Sequence, residues 1–271
     1  VSVLKRAGWR PGLAPLRDTR LGLRPPPLGR ETSAGGVLSF ASASEALRLV
    51  ATGLADGLMT APISKTGWKA AGVGFPDHTE WLRARTGREA EMVLASPSQG
   101  LWCVTATRHL PLKAALAALT PRKVEGAARA LAGALALRGK TRPLLGLCAV
   151  NPHAGEGGLL GSEEREILAP AAACLRREGL RLEGPLPADS AWRLHREGAL
   201  DGLVCLYHDQ ALIGLKAAAG LEVVNWTVGL PFPRTSPGHG TAFDAAGRRR
   251  ADSGPTLAAA HLAADILGAG G

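Results

Sequence analysis

The sequence predicts an α/β fold with a largely parallel or mixed sheet, and three observations carry that prediction. Short apolar runs of strand length alternate with segments whose apolar residues recur at helical spacing. The runs Leu144–Val150 and Gly202–Leu206 are rich in Leu, Val and Cys, as strands buried on both faces are, and Val223–Gly229 reads as a further strand. Several runs end in loops dense in Gly, Pro and His, where open α/β sheets hold their ligands.

In chain order, residues 1–36 are rich in Arg, Pro and Gly, with Pro25-Pro26-Pro27 the extreme, and read as an irregular connection with room for one short strand. Ser42 or Ser44 is placed to cap a helix carrying Ala46, Leu47, Leu49 and Val50. Asp56–Pro62 reads as a strand ending in a turn, and Ile63-Ser64-Lys65 enters a short helix. The loop from Gly72 to Pro76 leads to Asp77-His78-Thr79-Glu80 and a further helix at Trp81 and Leu82. Glu91–Ala95 and Leu101–Thr105 read as neighbouring strands. From Pro121 to Arg138, Val124, Ala127, Ala128, Leu131 and Leu135 mark one helical face. Glu163–Glu178 reads as a helix with an acidic first turn that suits the macrodipole. Gly184–Ser190 reads as a turn-rich link in which Asp189 or Ser190 caps a short helix. Pro231–Gly240 reads as a Pro/Gly loop, and Thr256–Leu267 as a closing helix entered through Pro255.

A chain of 271 residues can bury a sizeable core, and no apolar run is long enough to span a bilayer. No secretory h-region is present, so a cytoplasmic protein without membrane partners is expected. The four cysteines lack C-x-x-C spacing and read as small buried hydrophobes in a reducing compartment. The net charge of +9 invites a nucleic-acid reading, but no basic stripe interleaves with aromatics as single-strand binders require. With 25 Arg against 7 Lys, compositional bias toward Arg explains the charge, and no nucleic-acid partner is expected.

The most informative loop is Asn151-Pro152-His153-Ala154-Gly155-Glu156-Gly157-Gly158, after a strand and before a helix. Its three glycines permit positive φ and close approach of a ligand, and the helix N-terminus favours anions. Its bland reading is an ordinary turn. His78, His109, His153, His208 and His239 all sit in loops at element ends, whereas His195 and His261 lie in helices and read as surface or packing residues. His109, His153 and His208 each follow a strand-like run; if those strands share a sheet, three imidazoles meet on one rim. Three neutral nitrogens with an open position suit a catalytic divalent metal, and the long gaps between them are unlike a structural zinc site. For any single one, a hydrogen-bonded structural imidazole is the alternative. Lys216 and Arg234 could grip an anion, and Thr79 and Asn225 could donate hydrogen bonds.

Neither G-x-G-x-x-G nor a P-loop occurs. Other runs are more specific: Thr60-Ala61-Pro62-Ile63-Ser64-Lys65, Gly74-Phe75-Pro76-Asp77-His78-Thr79-Glu80, the loop at 151–158, Gly184-Pro185-Leu186-Pro187-Ala188-Asp189, Tyr207-His208-Asp209-Gln210, Gly229-Leu230-Pro231-Phe232-Pro233-Arg234-Thr235-Ser236, and His239-Gly240-Thr241-Ala242. In these runs and their order, the chain resembles the 4-hydroxythreonine-4-phosphate dehydrogenases, NAD-dependent enzymes of pyridoxal phosphate biosynthesis. The resemblance implies a fold like the isocitrate and isopropylmalate dehydrogenases, two α/β domains with a cleft between them. On that pattern, residues 1–76 with 234–271 form the first domain and 77–233 the second, which carries most of the metal site. The family opens with a strand and a Gly-Asp-Pro-x-Gly-Ile-Gly-Pro-Glu loop; no such run occurs here, so the first domain is expected to be N-terminally incomplete. Two smaller departures are Gly238 before His239 and Ala211 after Gln210.

The resemblance further implies a homodimer whose active sites use both subunits. His109, His153 and His208 would bind a divalent ion (Zn, Mg, Mn or Co), one of them reaching in from the partner. His78, Thr79, Lys216, Asn225 and Arg234 would hold the substrate; no residue is singled out for NAD or NADP. The implied reaction oxidises the secondary hydroxyl of 4-phosphooxy-threonine, with the metal as Lewis acid and Asp209 or Lys216 as proton acceptor. The β-keto acid formed then loses CO2 to give 3-amino-2-oxopropyl phosphate. The alternatives are a dehydrogenase for phosphorylated threonate or erythronate, and a non-catalytic relative.

Overall fold

A computed structural model describes residues 26–248 and 251–268, together with Gly22 and Arg24. The expectations for the N-terminal residues, Pro25 included, lie outside the described residues apart from the stretch nearest residue 36. There the chain differs from expectation: helix α1 spans Ser33–Ala51, with Thr32 and not Ser42 or Ser44 as its cap, accepting from the Gly35 N–H at 3.0 Å. Two adjacent glycines disguise this helix start, since each costs about 1 kcal/mol in a helix. Packing explains them: a Cβ on Gly36 would lie 2.1 Å from the Gly67 carbonyl oxygen of α2 (Lys65–Ala70).

The described residues build an eight-stranded mixed sheet in the order β1-β8-β7-β2-β3-β6-β4-β5. The strands are β1 (Leu58–Met59), β2 (Glu91–Ser96), β3 (Leu101–Thr105), β4 (Leu144–Cys148), β5 (Arg181–Leu186), β6 (Gly202–Cys205), β7 (Val224–Val228) and β8 (Arg234–Pro237). β3, β6, β4 and β5 run parallel; β2 pairs antiparallel with β3 and β7, and β7 antiparallel with β8.

Two strands stand where loops were expected. β5 takes in Gly184 and Pro185 because it is an edge strand, where a residue without N–H costs no ladder bond. Gly184 sits at φ 109°, and a Cβ there would meet the Leu147 carbonyl oxygen at 2.4 Å. β8 is buried throughout although prolines and glycines flank it.

After the short helix α4 (Leu112–Ala117), one face of the sheet carries α5 (Pro121–Leu137), α6 (Ala169–Arg177) and α9 (Gly254–Gly268) over Val93, Val104, Leu145, Leu147, Val204 and Trp226. On α5, Val124, Ala127, Ala128, Leu131, Ala134 and Leu135 are all buried, the face expected from their spacing. The helix expected from Glu163 begins with a π turn, Glu164–Leu168, and continues as α6; Pro170, lacking an N–H, sits at that junction. The opposite face carries α7 (Ala188–Arg196) and α8 (His208–Ala219) over Leu94, Cys103, Cys148, Leu203 and Cys205. α7 starts at Ala188 behind Pro187, so neither Asp189 nor Ser190 caps it. Cys103, Cys148 and Cys205 are free buried thiols, as expected of small core residues. Beyond β7 on this second face, α1, α2 and α3 (His78–Thr86) close a smaller core of Leu58, Trp68, Trp81 and Leu82. Among the described residues no helix is long and apolar enough to cross a membrane.

Candidate active site

A polar cluster forms where the second face passes from α8 to the smaller core. Side chains two apart on a strand share a face. Asn225 and Thr227 on β7 therefore stand together, opposite Ser236 and Arg234 on β8. Arg234 is 3% exposed. Its Nη1 donates to Thr227 Oγ1 at 2.9 Å, and its Nη2 donates to Thr60 Oγ1 at 2.6 Å and to His78 Nδ1 at 3.1 Å. Its Nε is sealed from solvent without a partner. The backbone places these groups: Thr60 follows β1 and its N–H donates to the Thr235 carbonyl at 3.0 Å. Asp77 caps α3 by accepting from the Glu80 N–H at 3.0 Å, which sets His78 and Thr79 in the first turn, both buried.

Among the described residues no carboxylate is bonded to this guanidinium. Burial pulls Arg234 down to about 10, with Asp77 opposing. Burial, then the Arg234 charge, push His78 down to about 3. Trp68 and Trp81 pack against one side of the imidazole, with ring centroids 5.1 and 6.2 Å away. Burying a cation without an ion partner costs several kcal/mol, and an apolar side chain of similar volume would cost less. A perturbed, uncompensated charge of this kind marks a functional site, here one that receives an anion. Arg234 was expected in a loop with a free bidentate fork. It lies in a buried strand, and both Nη atoms are engaged within the chain.

The second group is the histidine rim. β3 and β6 are parallel neighbours, so the residues after them emerge side by side. His109 and His208 come together with ring centroids 5.5 Å apart and border a cavity of about 220 Å3 with Leu110, Leu112, Tyr207 and Asp209. His208 Nδ1 donates to Asp209 Oδ1 at 2.7 Å. That leaves the His208 Nε2 lone pair free, the form in which imidazole binds a metal with a carboxylate behind it. Desolvation, then Lys65 and His208, lower the pKa of His109, which favours the neutral ligand form. Gln210 ties the rim to the next loop: its side chain accepts from the Leu206 N–H and donates to the Ala149 carbonyl, both at 2.7 Å. Between cluster and rim, Lys65 Nζ lies 3.8 Å from Asp77 Oδ2.

The third piece is the loop at 151–158. His153, Ala154, Gly155, Glu156 and Gly157 all take left-handed φ, between 43° and 78°. Such backbone costs roughly 1–2 kcal/mol per non-glycine residue and persists only where surroundings hold it. Glu164 is the clamp: its Oε1 accepts from the Val150 and Asn151 N–H groups at 2.8 Å, and its Oε2 from Asn151 Nδ2 at 2.9 Å. Gly155 is buried against it, since a Cβ would lie 2.8 Å from Glu164 Oε2. Glu164, from the helical segment that follows, thus takes the donors where the loop begins. His153 stands exposed on the turn, apart from the other two imidazoles. Among the described residues no group of three or more His, Cys, Asp or Glu is close enough to hold a metal. One chain supplies a pair of candidate ligands, and the pair fits a neutral-imidazole site.

Lys216 and Asp209 are exposed on α8; Lys216 lies about 12 Å along the helix axis from His208. His239 Nδ1 donates to the Gly240 carbonyl. His195 is a packing residue: Nε2 accepts from the Trp102 N–H at 2.9 Å and Nδ1 donates to the Leu200 carbonyl at 2.8 Å. His261 is exposed on α9. Sequence reasoning missed Thr60, Thr227, Trp68 and Glu164. Thr227 could have been found from the two-residue strand repeat that links it to Asn225. A larger cavity, about 690 Å3 between α1, α3 and Phe232, shares no residue with the polar cluster.

Residues 13–263 match the family model of the pyridoxal phosphate biosynthetic protein PdxA. A 4-hydroxythreonine-4-phosphate dehydrogenase from Bradyrhizobium diazoefficiens is 41% identical over 245 residues, which span 89% of this chain and 71% of that protein. One from Acidithiobacillus ferrooxidans is 42% identical over 243 residues, 88% of this chain and 72% of that protein. The crystal structure of the 4-hydroxythreonine-4-phosphate dehydrogenase from Klebsiella pneumoniae matches with a TM-score of 0.80 at 38% identity, covering 90% of this chain and 74% of that one.

Proposed function

The chain belongs to the PdxA family of pyridoxal phosphate biosynthetic proteins, and from that premise we propose that it is an NAD-dependent dehydrogenase of 4-hydroxythreonine 4-phosphate. The product is a β-keto acid that loses CO2 to give 3-amino-2-oxopropyl phosphate. The observation that carries this reading within the molecule is the buried Arg234, bonded to Thr60, Thr227 and His78 and to no carboxylate. Such a site attracts a small anion, and it stands one residue pair away from the paired imidazoles of His109 and His208.

His78 and Thr79 hold an anionic group of the substrate, with Asn225 and Lys216 as further donors and Arg234 as the charge behind them. Remote anion binding orients the hydroxyl and carboxyl groups for reaction. His109, His153 and His208 hold a divalent ion. Bound, that ion supplies Lewis acidity toward the hydroxyl, and NAD supplies the hydride acceptor. Asp209 or Lys216 takes the hydroxyl proton. His153 belongs to a site shared with a second copy: Leu159 is 83% and Ile213 70% exposed, on the elements that carry His153 and His208. Apolar side chains exposed beside functional groups suit an interface. The cleft lies between the α/β domains 1–76 with 234–271 and 77–233, in a cytoplasmic enzyme.

The test is to incubate the purified chain with NAD, a divalent ion and 4-hydroxythreonine 4-phosphate, following absorbance at 340 nm and the amino-ketone phosphate formed. Equimolar NADH and amino-ketone support the reading. Turnover of phosphorylated threonate or erythronate without turnover of this substrate contradicts it.

A further inference from the structure

The contact between Arg234 and His78 fixes where the imidazole carries its proton. A guanidinium has donors and no acceptor, so an imidazole nitrogen bonded to it must offer a lone pair. Arg234 Nη2 lies 3.1 Å from His78 Nδ1. Nδ1 is therefore bare, and in the neutral ring the proton sits on Nε2. Turning the ring over would set a C–H against Nη2 and lose the bond. The guanidinium cannot swing away to relieve this, because Thr60 and Thr227 hold its two Nη atoms. Trp68 and Trp81 pack against the imidazole from one side. Among the described residues Nε2 has no partner, and it is not among the polar atoms sealed from solvent.

We propose that Arg234 acts through His78 as a tautomer lock: it holds His78 as a neutral ring with a bare Nδ1 and a protonated Nε2, so that His78 meets the substrate as an N–H donor and never as its proton acceptor. The proposal deepens the reading above, on which it rests for the statement that His78 faces the substrate. In this role Arg234 is a positioning residue, not a direct clamp.

The charged and polar groups around His78 agree. Asp77, next to it on α3, favours the imidazolium; Arg234 from β8 and burial oppose it and prevail. Thr60 beyond β1 and Thr227 on β7 are neutral, and α2 presents the Trp68 ring. His78 thus stays a donor across the physiological range. The ligand chemistry that fits is an oxygen that accepts at every pH in that range, as in a phosphate or carboxylate. A hydroxyl offering its proton for abstraction does not fit. The proton leaving the substrate must go to another group, which favours Asp209 or Lys216.

The test uses the whole purified chain labelled with 15N-histidine. Long-range 1H–15N spectra between pH 5 and 8.5 report each ring nitrogen, and His78→Gln assigns the signals. The lock expects an unprotonated Nδ1 and a protonated Nε2 for His78, unmoved over that range. A protonated Nδ1, or a titration near the ordinary histidine value, overturns it. In Arg234→Met, His78 should exchange tautomers; an unchanged spectrum overturns the part given to Arg234. The spectra need no substrate, so absence of NAD reduction would sink the proposed reaction while leaving the lock to be judged on its own. Kinetics add a split. The Gln amide reaches the Nε2 position and the Asn amide the Nδ1 position, so KM should be about tenfold higher in His78→Asn than in His78→Gln. If instead kcat collapses in both variants and the acidic limb of the pH profile disappears, His78 is the proton acceptor and the proposal fails.

Discussion

The polar cluster at Arg234 and the histidine rim at His109 and His208 are neighbours, joined through Lys65 and Asp77, and they are held in opposite ways. In the cluster every partner of Arg234 is buried: Thr227 on β7, His78 in the first turn of α3, and Thr60 just after β1. In the rim and the adjoining loop, the candidate ligands ride on exposed backbone at positive φ, 48° at His109 and 52° at His153. The cluster is complete within one chain. The rim brings two imidazoles together and leaves the third apart. A single chain thus preorganises the anion site alone, and its strained turn is poised to present His153 elsewhere.

The sharpest way to break this comparison is Arg234→Met. Replacing a buried unpaired cation by an apolar side chain of similar volume should leave the thermal midpoint unchanged or raise it. The kcat/KM should fall by about 100–1000-fold, from loss of the charge and its bonds. A large fall in stability with little loss of kcat/KM would mean that the cluster is structural.

Glu164→Gln probes the other side. The amide keeps one acceptor and loses the charge that gathers the Val150, Asn151 and Asn151 side-chain donors. Stability should drop by about 1–3 kcal/mol. Divalent-metal affinity should fall by roughly 10–100-fold, because the loop no longer fixes His153. Isothermal titration with Zn or Mn reads this, and unchanged affinity would detach His153 from the metal. Asp209→Asn should have a smaller effect, about tenfold in affinity, since the amide oxygen still accepts from His208 Nδ1.

The smallest effect concerns pH. Burial holds His78 at about 3 and also lowers His195, so the unfolded chain takes up protons first as pH falls. The stability these rings contribute is fully present above pH 6.5 and is lost as pH drops from there toward 3 for His78. Each ring adds at most about 1.4 kcal/mol per pH unit to the slope. His195→Gln should flatten the pH dependence of the urea midpoint between 6 and 4 without changing activity at pH 7.5. An unaltered slope would contradict the neutral buried ring.

Periodicity made the α/β class and helix α5 legible, because six buried positions repeat on one face. Local sequence also marked His78, Thr79 and Asp77 at a helix start. It could not reveal β8, whose flanking prolines imitate a loop, or the bond between Arg234 and Thr60, which are 174 residues apart. The positive φ of the glycines at 155, 157 and 158 was readable, but the same conformation at His153, Ala154 and Glu156 was not. It depends on Glu164, a tertiary clamp with no sequence signature. The likeness of His109, His153 and His208 concealed a difference in placement: their strands β3, β4 and β6 are neighbours in the sheet, yet His153 rides on a left-handed turn.

The most direct test of the claim that the anion site is complete in one chain and the histidine site is not is to mix subunits. His153→Ala and His208→Ala chains are each expected to be inactive. Refolded together, they should recover NADH formation with 4-hydroxythreonine 4-phosphate, up to one intact site per mixed dimer. A mixture that stays as inactive as its parts, while the wild-type chain turns over, would show that all three histidines act within one chain and would contradict the account.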